Sequence, residues 1–358
     1  MDYMKFRRPV SMPISISRLK SVLSVLTPRR WKSIRAGLLS LASTAVMFFL
    51  GCHSEAVSTI ALIPRTSGMG LWEPAHRGAD SAAARLGARI YWNAPTREDD
   101  VESQIALVEQ VTSRRYQGLV LAPDQALALI TPVHRALEVG IPTVVVSSQL
   151  AIPGGGRLSY VLNDDEAGGR LAAQRVAELL HSKGSVVVLG VNPDITGIMI
   201  RARSFELFLA QNYPNIHVSM RRGAFNILHE QQIAEQALKN DPDVKVIVGL
   251  MWASARGAIS ALGMMRKGRR VKVIGFDPDG ALPFATENFD SAIMQDTRAM
   301  GELAVDLIGA ERHGHPMPAS IKLQPALATR QNIDTPEIRR LTSMEWKPGS
   351  WKGSMALQ

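Results

Sequence analysis

The sequence predicts an α/β protein, and two patterns along the chain support this fold class. From residue 57 onward, short runs rich in Val, Ile and Leu alternate with longer stretches of helical periodicity. This alternation is typical of parallel sheets covered by helices. It is interrupted once, around residues 147–165, and then resumes. We therefore expect two doubly wound parallel-sheet lobes.

The predicted strands are short, and each is bounded by polar residues, Gly or Pro. They cover residues 57–63, 88–92, 118–122, 143–146, 160–162, 185–190, 217–220, 244–249, 271–276, 291–294 and 321–323. The helical stretches between them are amphipathic, as expected of helices that cover a sheet face. They cover residues 73–86, 99–115, 126–139, 166–182, 199–212, 228–240, 254–267 and 298–312.

The interruption contains an irregular loop at residues 152–157 with three consecutive glycines. Because a fresh strand and helix follow it, we expect the chain to cross from the first lobe to the second there. Beyond the last strand the sequence loses its periodicity, so residues 334–358 are predicted to form an irregular tail.

The front of the chain has the layout of an export signal. Residues 36–51 form an uncharged apolar run of 16 residues that ends at Cys52, the only cysteine. This run is shorter than the roughly 20 residues that span a bilayer as a helix. We expect residues 1–51 to be a cleaved leader and Cys52 to be lipidated, with an uncleaved anchor or a buried core cysteine as alternatives. Met1 and Met12 are both candidate start residues.

The basic charge of the chain belongs mainly to this leader. Residues 1–35 contain nine Lys or Arg against one acid, so they carry +8 of the net charge of +9. A basic segment before an apolar run orients a leader in the membrane. The chain beyond it is nearly neutral, which argues against a nucleic-acid partner. With a single cysteine, no internal disulfide can form, and the core alone must stabilise the fold.

Five ordered segments resemble the periplasmic sugar-binding proteins of the ribose and galactose type, the type I solute receptors of ATP-driven importers. The resemblance covers about residues 57–333. Its segments are Ile60-Ala-Leu-Ile-Pro with Gly70-Leu-Trp72 and the later Gly78, Gly140-Ile-Pro-Thr-Val-Val-Val146, Asn163-Asp-Asp-Glu-Ala-Gly-Gly169, Arg201-Ala-Arg-Ser-Phe205 and Val273-Ile-Gly-Phe-Asp277.

This resemblance implies two lobes joined by a three-strand hinge, with the ligand in the cleft between them. The first lobe would comprise residues 57–163 plus about 296–324, and the second about 164–295 plus 325–333. Such a receptor is a binding protein without cofactor or metal. It is expected to work as a monomer outside the cytoplasm, lipid-anchored to the membrane, and to deliver its ligand to a membrane importer permease.

The resemblance also implies roles for individual residues in the cleft. Asp277 would accept hydrogen bonds from ligand hydroxyls, Arg201 would donate them, and Gln295 would do either. Trp72 and Phe225 would cover the apolar faces of a sugar ring.

Four further cleft positions depart from the ribose-type pattern. Ser147 and Ser148 stand where that type has an Asp-Arg pair, and Met251 and Trp252 stand where it has Asn-Asp. Charge-assisted hydrogen bonds contribute about twice as much as neutral ones, so ribose should bind poorly. We expect a less polar cleft, with Trp72 and Trp252 stacking on the ligand. The candidate ligands are a sugar, a deoxysugar, a nucleoside or a glycoside.

Other functions receive less support from the sequence. No nucleophile elbow or His-Glu-x-x-His string indicates an enzyme. A sugar-responsive transcription regulator would carry a helix-turn-helix where this chain carries its leader. His313 and His315 form a pair without a third ligand nearby, so no metal site is expected. A receptor for a membrane sensor kinase or chemoreceptor remains open beside the importer.

Overall fold

The computed structural model describes residues 58–67, 70–97, 99–223, 226–265, 270–278 and 282–342. The predicted leader, Cys52, Phe225 and the end of the predicted tail lie outside the described residues. In chain order the elements are β1 (Ser58–Ile63), α1 (Trp72–Arg85), β2 (Ala88–Trp92), α2 (Val101–Ser113), β3 (Gly118–Leu121), α3 (Ile130–Glu138), β4 (Thr143–Ser147), β5 (Leu158–Asn163), α4 (Asp165–Leu179), β6 (Gly184–Val191), α5 (Thr196–Asn212), β7 (Ile216–Arg222), α6 (Ile227–Asn240), β8 (Val244–Gly249), α7 (Trp252–Met264), β9 (Lys272–Phe276), β10 (Phe289–Met294), α8 (Thr297–Arg312), β11 (Ser320–Leu323), β12 (Ala326–Thr329) and α9 (Pro336–Thr342).

These strands form two six-stranded sheets. The first has the order β11-β5-β4-β3-β1-β2 and is parallel throughout. The second has the order β12-β10-β9-β8-β6-β7, in which only β12 runs antiparallel among the described strands. We call each sheet with the helices packed on it a lobe. The predicted fold class, two α/β lobes with mainly parallel sheets, is confirmed.

Both faces of each sheet are buried, and the sequence of the strands reflects this. In β1, Ile60 and Leu62 pack into one hydrophobic cluster of the first lobe, whereas Ala61 and Ile63 pack into the cluster on the opposite face. A strand covered by helices on both faces needs apolar residues at every position. This explains why the strands read as continuous apolar runs rather than as alternating patterns.

The chain passes between the lobes three times, after β5, after β10 and between β11 and β12. The loop at residues 152–157 is not a crossing, which corrects the prediction from sequence. It connects β4 and β5 of the same sheet, and the Gly155 N–H donates to the Leu158 carbonyl at 2.8 Å. This pairing folds the glycine-rich segment into a closed turn, and the first crossing follows Asn163.

The C-terminal region is more regular than its sequence suggested. β12 was not predicted, and residues 336–342 form α9 within the stretch expected to be irregular. Ile338, at 2% exposure, belongs to a hydrophobic cluster of the second lobe. Leu341 of the same helix is partly buried and packs against this cluster. Two apolar side chains in a seven-residue helix give only a weak periodic signal in a sequence.

Helices α1 and α8 approach each other closely through two glycines. A Cβ added at Gly78 would lie 2.0 Å from the Arg298 carbonyl oxygen, and one added at Gly301 would lie 1.9 Å from the Ala75 carbonyl oxygen. Both contacts are far below van der Waals distance and involve backbone atoms. Only glycine fits at these two positions.

We expect Gly301→Ala to destabilise the protein by about 1–3 kcal/mol, because the helices must move apart to admit the methyl group. Chemical denaturation would measure the change in the free energy of unfolding. Gly263→Ala is the matched control, since a Cβ at that position of α7 meets no atom within 4 Å. It should be neutral or stabilise by up to about 1 kcal/mol. Equal effects of the two substitutions would contradict the close approach.

Candidate ligand-binding site

A cavity of about 210 Å³ lies between the lobes, where the carboxyl ends of the parallel strands meet. Ligands of open α/β sheets bind at this edge. Eight of the nine residues predicted to bind ligand line it, and the ninth, Phe225, lies outside the described residues. The eight are Trp72, Ser147, Ser148, Arg201, Met251, Trp252, Asp277 and Gln295.

Strand ends place most of these side chains. Ser147 is the last residue of β4, Asp277 directly follows β9, and Gln295 directly follows β10. Ser147 and Asp277 both have positive φ, 68° and 51°. Side-chain-bearing residues rarely adopt this conformation, which costs of order 1–3 kcal/mol and is concentrated at functional sites. The strain lies where two strands from different lobes end at the same cavity.

Arg201 is the centre of a buried charged cluster. It lies on α5 at 6% exposure, and its Nε donates to Asp165 Oδ1 at 2.6 Å. Its Nη1 donates to Asp277 Oδ2 at 2.6 Å and to the Leu250 carbonyl at 2.9 Å. The guanidinium also stacks over Phe276, 4.7 Å from the ring centroid. Two carboxylates therefore hold one buried cation in a fixed orientation.

Burial and the neighbouring charges shift the pKa values of Arg201 and Asp277 in opposite directions. Burial alone would lower the pKa of Arg201, but Asp277 and Asp165 outweigh it and raise that pKa above its ordinary value. Burial raises the pKa of Asp277, although Arg201 opposes the shift. Asp277 Oδ1 is buried and has no hydrogen-bond partner among the described residues. A ligand hydroxyl that donates a hydrogen bond to Oδ1 would satisfy this oxygen.

Gln295 links this cluster to the first lobe. Its Nε2 donates to Asp277 Oδ2 at 2.9 Å, and its Oε1 accepts a hydrogen bond from Asn163 Nδ2. Asn163 ends β5 in the first sheet, whereas Gln295 follows β10 in the second. The two residues thus join the lobes beside two of the chain crossings, at the base of the cavity.

The two tryptophans lie at the cavity but belong to the cores as well. Trp72, at 2% exposure, packs in a hydrophobic cluster of the first lobe, and Trp252, at 4%, packs in one of the second. Trp252 meets Phe289 edge to face at 5.9 Å between centroids. Because much of each ring is already covered, the rings present less stacking surface to a ligand than the sequence suggested.

Sequence reasoning missed two arginines that line the cavity, Arg65 and Arg256. Arg65 follows β1 by two residues, near the edge of the sheet at which ligands of such folds bind, but the family resemblance assigned no role to this position. Arg256 lies in α7, and no spacing signal marks it. The other unpredicted lining residues are Leu71, Ile195, Gly197, Ile198, Ile227, Ala253 and Thr297.

The comparison with known protein families agrees with the two-lobe fold and the cavity between the lobes. A family model for the periplasmic binding protein domain matches residues 60–314. The chain belongs to this family. The recognition made from the sequence motifs is confirmed, and so is the expectation of a binding protein rather than an enzyme. Membership also places this periplasmic binding protein outside the cytoplasmic membrane.

Several curated relatives are named as sugar receptors. A D-allose-binding periplasmic protein of Escherichia coli is 23% identical over 287 residues, which cover 77% of this chain and 92% of that protein. A D-apiose import binding protein of Paraburkholderia graminis is 26% identical over 252 residues, covering 70% and 77%. These periplasmic binding proteins match this chain along most of their length.

Solved structures share the fold of this periplasmic binding protein. A carbohydrate transporter solute-binding protein of Agrobacterium radiobacter, solved with D-arabinose, superposes with a TM-score of 0.75 at 24% identity. The match covers 81% of this chain and all of the other. In the part of this chain that the structure describes, no helix combines the length and the apolar character needed to cross a bilayer.

Proposed function

We propose that this periplasmic binding protein captures one small, sugar-like ligand in the interlobe cavity and presents it to an ATP-driven importer. The observation that carries the proposal is the cluster of Arg201, Asp277 and Gln295 at the cavity. It offers fixed charged and amide groups, which are the partners that ligand hydroxyls need. Relatives named for D-allose and D-apiose support the ligand class.

The size of the cavity supports a ligand of monosaccharide size. Its volume of about 210 Å³ is below the roughly 300–1,000 Å³ typical of sites for drug-sized ligands. The residues on its walls come from both lobes, so a bound ligand would bridge them. Three chain crossings beside the cavity suit closure by hinge bending, in which the lobes move as rigid bodies. We propose that the protein acts as a monomer.

The polarity of the cavity restricts which sugars fit. Ser147, Ser148 and Met251 supply neutral or apolar walls where an acid, an arginine and an amide would suit ribose. Each hydroxyl left unpaired in a closed cavity costs on the order of 1–3 kcal/mol. We propose that ribose binds poorly and that a ligand with fewer hydroxyls, such as a deoxysugar, binds better than a nucleoside or a larger glycoside.

A thermal-shift panel of pentoses, hexoses, deoxysugars, polyols and nucleosides tests the proposed function. A ligand at 100 times its Kd stabilises the native state by about 2.7 kcal/mol through mass action. We expect at least one small sugar-like compound to raise the melting temperature, and ribose to raise it little. A panel without any stabilising compound would contradict the function, and sub-micromolar ribose binding would contradict the ligand preference.

We further propose that the protein is anchored to the membrane by a lipid on Cys52, with the leader 1–51 removed. The support is the sequence order of basic segment, apolar run and single cysteine.

Replacing Cys52 with Ala should move the protein from the membrane fraction to the soluble fraction or block removal of the leader. Cell fractionation followed by immunoblotting measures both effects. Ser54→Ala, two residues away, is the control and should leave the distribution unchanged. Membrane attachment and gel mobility that do not change in the Cys52 variant would show that the lipid anchor is wrong.

A further inference from the structure

Arg65 is a buried cation, and within the part of the chain that the structure describes its hydrogen bonds go to neutral groups. It is 8% exposed and lines the cavity from the first lobe. Its Nη2 donates to Ser148 Oγ at 2.6 Å and its Nε donates to the Pro123 carbonyl at 3.2 Å. Its remaining N–H groups bond to no residue that the structure describes. Removing a charge from water costs several kcal/mol unless an opposite charge compensates it.

Arg65 and Arg201 differ in how their charges are compensated. Arg201 has two carboxylates in contact, Asp165 and Asp277. Among the described residues, no carboxylate contacts Arg65 or Arg256, which is exposed at the cavity on α7. In this part of the chain the cavity therefore combines an acceptor, Asp277, with two arginines that have no carboxylate in contact.

The surrounding backbone favours negative charge at the same place. Helices α1, α5 and α7 all begin at the cavity, with Trp72, Gly197 and Trp252 in their first turns. The N-terminus of a helix carries unpaired N–H groups and the positive end of its dipole. This contribution is general to the fold, but it adds to the positive potential of Arg65.

Three carboxylates, those of Asp124, Asp99 and Asp277, lie within electrostatic range of Arg65 without a hydrogen bond or ion pair to it among the described residues. Burial raises the pKa of Asp124 to about 7, against the opposing effect of Arg65, so its carboxyl is only partly ionised near neutral pH. Burial and the charge of Asp194 also raise the pKa of Asp99. None of these carboxylates occupies the N–H groups of Arg65 that have no hydrogen bond among the described residues.

We propose that the natural ligand carries a carboxylate, as a sugar acid does, and that this carboxylate binds Arg65 while its hydroxyls bind Asp277 and Gln295. This inference rests on the proposed capture of a small sugar-like ligand and narrows it to acidic ligands, so that the preference for few hydroxyls applies to the neutral part of the ligand. A guanidinium can donate two parallel hydrogen bonds to the two oxygens of a carboxylate. This pairing fixes the orientation of the ligand and adds to its affinity. Arg201 already has two carboxylates in contact, so Arg65 is the buried arginine left to pair with a ligand, and this suits a single carboxylate better than a phosphate ester, which has three terminal oxygens to satisfy.

Calorimetric titration of the full chain against matched pairs tests the proposal. The probes are D-galacturonate with D-galactose, D-glucuronate with D-glucose, and galactose 6-phosphate. We expect at least one acid to bind about tenfold or more tightly than its neutral parent, as charge-assisted hydrogen bonds should give. Raising the salt from about 0.02 M to about 0.5 M should weaken binding of the acid more than binding of the neutral sugar.

Variants of Arg65 test whether this residue causes the preference for the acid over its neutral parent sugar. Arg65→Gln should lower the acid-to-neutral affinity ratio by about tenfold or more, and Arg65→Lys should retain part of it because the charge remains. Arg203→Gln, an exposed arginine on α5 outside the cavity, is the control and should leave the ratio unchanged. Thermal unfolding of each variant shows that it is folded.

The outcomes separate this inference from the function on which it rests. Neutral sugars that bind as well as their acids, or an unchanged ratio in folded Arg65→Gln, would overturn the carboxylate while leaving the receptor function intact. Binding of the phosphate ester alone would overturn it in favour of phosphate. A protein that binds none of the acids or neutral sugars of either panel would contradict the receptor function itself.

Discussion

Replacing Arg201 with Met should destabilise the protein by about 3–5 kcal/mol, the largest effect that we expect from a single substitution. The variant leaves Asp165 and Asp277 buried, at 7% and 9% exposure, without the cation that compensates both. It also removes the donor to the Leu250 carbonyl. In a protein of this size the melting temperature should fall by roughly 2–4 °C for each kcal/mol lost.

Urea denaturation and calorimetry would measure this loss. Arg170→Met is the matched control, because Arg170 pairs with Glu166 on the exposed face of α4. Exposed ion pairs contribute about 0–1 kcal/mol, so this control should have little effect. Similar free energies of unfolding for the two variants would mean that the buried cluster does not stabilise the fold.

Replacing Asp277 with Asn should weaken ligand binding about ten- to a hundredfold while leaving the fold intact. The amide keeps the shape of the side chain and an oxygen for Arg201, but the charged acceptor for ligand hydroxyls is lost. One hydrogen bond to a charged group is worth about 1.5–3 kcal/mol, which corresponds to that change in Kd. Titration calorimetry with the best compound of the panel would measure it.

The pH dependence of binding gives a second test of Asp277. Because burial raises its pKa, acidification should protonate the carboxyl at a higher pH than for an exposed aspartate, and affinity should fall with that protonation. Asp290→Asn is the control, since Asp290 pairs with Arg175 away from the cavity. Wild-type affinity in Asp277→Asn would place the ligand elsewhere.

Most of the fold could be predicted because each sheet is covered on both faces. Strands such as Gly118–Leu121 are apolar and buried throughout, and the helices between the strands are amphipathic, so the alternation is visible in the sequence. β12 was missed because it is a short edge strand paired only with β10. The glycine-rich loop at residues 152–157 was taken for a lobe crossing because composition cannot distinguish a closed turn from a linker.

The position of a site residue could be predicted where the family resemblance marked it, and not where side-chain pairing decides its role. Asp277 and Gln295 follow strands directly, and the structure brings both to the cavity. Arg65 was missed because an arginine after a strand usually reaches solvent. Its burial depends on Ser148, 83 positions away. The edge-to-face contact of Trp252 with Phe289 could not be predicted from the sequence, and the stacking of Trp252 on the ligand stays a prediction.

The central claim is that one ligand binds between the lobes and is held by both. Titration calorimetry of Trp72→Leu and Asp277→Asn, one variant from each lobe, tests it most directly when near-UV circular dichroism shows that both are folded. The account predicts one ligand per chain and a weaker affinity in both variants than in the wild type. Wild-type affinity in either folded variant would contradict a ligand held by both lobes.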